Sequence, residues 1–92
     1  MPGISRGGRD KAGGTMIASQ SFCFCEGSAI VVKGDSVIPH YPCGMPGGAI
    51  HCAATMSQGS NYVFVGGKSV VRQGDMASCS HTAQGSSKIF AM

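Results

Sequence analysis

The sequence predicts a small all-β domain of repeated hairpins whose apolar core is too small to hold it without a staple. Three observations carry this. No window long enough for a helix keeps a 3.6-residue apolar period without a Gly or Pro interrupting it. Short β-prone runs flank two-residue turns at Glu26-Gly27 and Gly66-Gly67, a tight-hairpin signal. A shift of forty residues lays 15–35 on 55–75 without a gap, marking two copies of one supersecondary unit.

The self-match is identical at Thr15/Thr55, Met16/Met56, Phe24/Phe64, Gly27/Gly67, Val31/Val71, Gly34/Gly74 and Asp35/Asp75, with Phe22/Tyr62 and Ile30/Val70 conservative. In each copy a strand over 21–25 or 61–65 runs through the turn into a second strand over 28–32 or 68–72. Lys33-Gly34-Asp35 and Gln73-Gly74-Asp75 then read as corners, where the Asp side chain accepts backbone N–H bonds. Residues 13–17 and 53–56 supply the short strand that opens each unit, and 87–91 a closing one. The whole of 1–92 reads as one domain, with no extension or toxin domain.

A chain of 92 residues hides only about 60–65% of its unfolded surface. Fifteen glycines lower the margin further, since each loses much backbone freedom on ordering. Charged residues make up 12%, about half the usual share, so part of the surface is expected to lie under another protein. The net charge of +3 is scattered, with no basic stripe for nucleic acid. No apolar run approaches a membrane span and no apolar segment follows the charged first residues, so the chain is expected to be cytosolic, without stable membrane insertion, and monomeric on its own.

Five cysteines, Cys23, Cys25, Cys43, Cys52 and Cys79, form an odd set with no secretory signal. Reduced thiols are therefore expected, and a metal is the favoured staple. His40, His51 and His81 lie after the corners or in the loop between the repeats. Cys79-Ser80-His81 is a C-x-H pair whose side chains point the same way in extended backbone. His40 follows the first corner at nearly the equivalent place, and His51 completes a set of three imidazoles and one thiolate, a closed tetrahedral zinc site. Cys43 and Cys52 are rival ligands. Cys23 and Cys25 alternate with Phe22 and Phe24 and read as small buried hydrophobes. Neither H-x-E nor HExxH occurs, and the acids are Asp10, Glu26, Asp35 and Asp75 alone, so an enzyme is not expected.

The repeat, the Gly-Asp corners, the His-rich loops and the opening Met1-Pro2-Gly3-Ile4-Ser5-Arg6 together resemble the PAAR-repeat family over essentially the whole chain. The literal Pro-Ala-Ala-Arg motif is lost. Ser69-Val70-Val71-Arg72 stands in its place in the second repeat and Ala29-Ile30-Val31-Val32 in the first, so only Arg72 and the apolar pattern survive. The resemblance implies a small cone with one structural Zn²⁺ near its apex, bound by three histidines and one cysteine, matching His40, His51, Cys79 and His81. It also implies one tip per trimeric VgrG-type spike of a type VI secretion apparatus, with effectors carried by other proteins and delivery from the cytoplasm into target cells. The alternative reading is a small zinc-binding module for a protein or nucleic-acid partner.

Overall fold

The computed structural model describes residues 2–41 and 43–91, so Met1 of the opening run and Pro42 beside His40 lie outside the described residues. Regular strands are two residues long. β1 (Lys11–Ala12) pairs with β2 (Gly14–Thr15), β3 (Phe24–Cys25) with β4 (Ser28–Ala29), and β5 (Phe64–Val65) with β6 (Lys68–Ser69), each antiparallel. Among the described residues the only helical element is a 3₁₀ turn at Ala49–His51. Among the described residues no helix is long and apolar enough to cross a membrane.

The two predicted hairpins form in the same register, Phe24 opposite Ala29 and Phe64 opposite Ser69. Both central residues of each turn have positive φ: 52° and 82° at Glu26-Gly27, 59° and 80° at Gly66-Gly67. A two-residue turn that follows the strand twist requires this conformation. The ladders are shorter than the sequence suggests because each second strand changes partner. Ile30 N still donates to Cys23 O, but Val31 N donates to Ser5 O.

That change of partner reveals a third unit, assembled from both ends of the chain. Ile4 N donates to Ile89 O at 2.9 Å, as Ile30 does to Cys23 O at 3.1 Å and Val70 to Val63 O at 3.0 Å. Ser86 Oγ accepts from the N–H groups of Lys88 and Ile89, as Ser60 Oγ does from Tyr62 and Val63, and Gln20 Oε1 from Phe22 and Cys23. The closing strand expected at 87–91 thus pairs with residues 3–4 through the Gly3–Phe90 bridge.

The three units close on one another in a ring of backbone hydrogen bonds. Ser5 N donates to Val71 O (3.0 Å), Val71 N to Val31 O (2.9 Å) and Val31 N to Ser5 O (3.1 Å). Each unit then turns a corner on a buried carboxylate. Asp10 accepts from Arg6 N, Asp35 from Val32 N and Asp75 from Arg72 N, all at 2.8 Å. A buried carboxylate is costly unless its oxygens are occupied. Arg6 and Arg72 fill the remaining positions as ion pairs at 2.8 and 3.1 Å, and at the first corner, where Val32 replaces the Arg, the Ser19 hydroxyl donates to Asp35. The one Arg that survives from the family motif therefore anchors a corner.

Two apolar clusters lie in sequence along this path. Ile4, Cys25, Val70 and Ala91 pack beneath the hairpins. Val31 and Val71 of the ring join Ala12, Met16, Val37, Ala54, Met56, Ala77, Cys79 and Ala83 in a second cluster. Met16 and Met56, identical in the repeat, are both fully buried there. The domain is elongated, 37 × 24 × 21 Å. On the hairpins, by contrast, Phe22, Phe24, Tyr62, Phe64 and Phe90 are exposed.

Candidate metal centre

The chain leaving the second cluster carries four side chains into one place. Cys79, itself a member of that cluster and 2% exposed, stands beside His40, His51 and His81. Their ligand atoms all lie within 4.8 Å of one another. His40 Nε2 is 2.9 Å from His81 Nδ1, 3.1 Å from His51 Nδ1 and 3.5 Å from Cys79 Sγ, and Cys79 Sγ is 3.7 Å from His81 Nδ1. A tetrahedral zinc with bonds of about 2.0–2.3 Å spaces its ligands roughly 3.3–3.6 Å apart.

The hydrogen-bond chemistry also suits a cation. His40 Nδ1 is 2.8 Å from Ile38 O, which has no proton of its own, so Nδ1 carries the hydrogen and donates. In the neutral ring the lone pair of Nε2 then faces His51, His81 and Cys79. A metal-ligating His is commonly oriented by such a bond from its other nitrogen. Burial, and then the neighbouring His81 and His40 rings, hold the His51 imidazole below its ordinary pKa, favouring the neutral form a metal requires. The group could therefore hold a metal ion.

Three local structures aim the ligands. Cys79 and His81 sit in a tight loop closed by Ala77 N donating to His81 O at 2.9 Å, with Ser80 at φ 71°. This corrects the expectation of extended backbone at the C-x-H pair; a left-handed Ser80 turns the chain so that both side chains converge. His51 ends the 3₁₀ turn, and His40 N donates to its carbonyl at 3.2 Å. The third device is Gly13-Gly14, read from sequence as strand alone. A Cβ on Gly13 (φ +84°) would overlap the His81 ring, and one on Gly14 would meet Ile38 O and His40 Nδ1. The Gly pair at the turn from β1 into β2 is the only sequence signal for this packing.

The expectation that all five cysteines are reduced is corrected at one pair. Cys43 and Cys52 form a disulfide with Cα atoms 5.0 Å apart. The bond between His40 N and His51 O closes the neck of their loop and brings the two sulfurs together. Each sulfur is thereby taken by the other, which removes both as rival ligands in this state. Cys25 is buried in the hairpin cluster, and burial pushes its thiol up, whereas Cys23 is only half-buried; neither joins the histidines.

A comparison with curated proteins finds no match. A scan against protein families matches the PAAR motif over residues 6–84, a span that takes in all three corners and all four converging side chains. With that match covering most of the chain, the protein belongs to the PAAR motif family, whose known role is the spike tip of type VI secretion.

Proposed function

We propose that this domain, spanning 1–92 as one unit, caps a trimeric VgrG-type β-helix spike, one copy per trimer, and that a structural Zn²⁺ held by His40, His51, Cys79 and His81 stiffens its point. The observation that carries the reading is the closed ring through Ser5, Val31 and Val71, because it gives a single chain three quasi-equivalent faces. Phe24, Phe64 and Phe90 occupy matching positions on the three units and are 59%, 55% and 46% exposed. Three aromatic side chains repeated about one axis suit a partner that is itself threefold, and exposed strand ends suit extension by strand addition.

The ion supplies cross-linking and no turnover. Three imidazoles and a thiolate saturate a tetrahedral centre, leaving no open position for a substrate or an activated water. Delivery of effectors would then rest on other chains that travel with the spike, carried from the cytoplasm into a target cell.

Light scattering of the chain mixed with a soluble trimeric spike should give one tip per three spike chains. Phe24→Asp and Phe64→Asp should each weaken that association by roughly thirtyfold, the scale of a central aromatic anchor at about 2 kcal/mol, while zinc content stays at one per chain. Wild-type affinity for the charged variants, or binding to nucleic acid with a steep salt dependence in place of the spike, would favour the separate zinc-module reading.

A further inference from the structure

The Cys43–Cys52 disulfide closes a segment whose described residues, 40–41 and 43–52, have a peculiar attachment to the rest of the molecule. Its backbone hydrogen bonds among the described residues are all internal: Cys43 N to His40 O, Gly48 N to Met45 O, His51 N to Gly48 O, Cys52 N to Ala49 O and His40 N to His51 O. The segment is a flap. Among the described residues, its side chains meet the body through the His40 and His51 rings beside Cys79 and His81 and through His40 Nδ1, which donates to Ile38 O. The disulfide stands next to those two histidines in sequence, with Cys43 three residues after His40 and Cys52 directly after His51, so that its loop encloses His51. Tyr41, Met45 and Ile50 on the flap are exposed, so little apolar burial holds it down.

We infer that Cys43–Cys52 is a redox clasp on the metal-holding flap: closed, it keeps His40 and His51 presented together; opened by a cellular dithiol, it lets His51 swing away. Both cysteines are partly exposed and within reach of a small reductant. In the opening step a thiolate of the dithiol attacks one sulfur of the pair and the Cys43–Cys52 bond breaks. The reductant's second thiolate then displaces the cysteine from the mixed disulfide. The dithiol leaves as a disulfide, having given two electrons, and Cys43 and Cys52 each take up one proton. Removing a cross-link over a nine-residue separation frees conformations worth up to about a hundredfold in the flap's order–disorder equilibrium. A reducing compartment thus favours a loose metal site and an oxidising one a locked site.

The consequence for the metal rests on the zinc reading above, whereas the consequence for the flap does not, so the test has two arms on the full chain. Oxidised protein is compared with protein reduced by a phosphine and with the double variant Cys43→Ser/Cys52→Ser. Amide hydrogen exchange of residues 43–52 in metal-free protein should be at least tenfold faster in the reduced protein and the variant. Zinc transfer to a chromogenic chelator should speed up at least tenfold in the same two samples. Equal flap exchange in all three samples overturns the clasp whether or not metal binds. Faster exchange with equal zinc release refutes the link between clasp and metal. Oxidised protein that takes up no zinc, yet shows the exchange difference, overturns the metal reading and leaves the clasp standing.

Discussion

Replacing Gly13 by alanine separates the metal site from the backbone that serves it. The residue has φ +84°, and an added methyl would overlap Nδ1, Cε1 and Cγ of His81. Left-handed backbone alone costs a non-glycine residue about 1–2 kcal/mol. Gly8→Ala measures that part by itself, since Gly8 has φ +76° and open space around it. The overlap adds a second effect, because a zinc–nitrogen bond of about 2.0–2.1 Å cannot stretch to follow a displaced ring. At free zinc a thousandfold above its dissociation constant the ion contributes about 4 kcal/mol of stability. Gly13→Ala is therefore expected to lose about 5–6 kcal/mol in zinc-containing buffer, against 1–2 kcal/mol for Gly8→Ala. With about 4–8 °C per kcal/mol for a domain of this size, calorimetry resolves the two easily. In chelator the gap between the variants should shrink. A Gly13→Ala protein that binds zinc normally and melts with Gly8→Ala would refute both the packing and the ligand role of His81.

Two other outcomes follow from the same group. His51→Ala and Cys79→Ser should each lower zinc content and melting temperature, while Cys23→Ala leaves one zinc per chain; equal metal in all three by elemental analysis would contradict the ligand assignment. Acid should weaken the metal-free fold: with the His51 pKa depressed in the native state, the unfolded chain takes up protons first as pH falls below the ordinary 6.5. Stability from this residue is present above that pH and lost on acidification. Urea unfolding at pH 7.5 and 5 should show the loss in the parent and a flatter response in His51→Ala.

The hairpins were legible because their cues are local. Glu26-Gly27 and Gly66-Gly67 lie in continuous runs, and the Asp35 and Asp75 corners take backbone N–H groups as the residue types suggest. The third unit was not, because no contiguous segment contains it: residues 86–91 and 3–10 meet only in space, and Arg6 stands four residues from its Asp10 where Arg72 stands three from Asp75. Histidine and C-x-H placement pointed to the four converging side chains, yet the sequence is silent on the turn at Ser80 and on the clearance at Gly13. The disulfide escaped notice for a different reason. Its geometry depends on the bond between His40 and His51, and an odd cysteine count carries no information about a single pair.

The seam between residues 2–4 and 89–91 makes the domain a topological circle. Ala91 N donates to Pro2 O and Gly3 bridges Phe90, so polypeptide joined ahead of residue 2 or behind residue 91 departs from a single spot. A permuted gene that ties this seam and opens the chain elsewhere would encode the same contacts in a new order. Appended passengers, whichever side they are fused to, would share one exit and compete for the space around it.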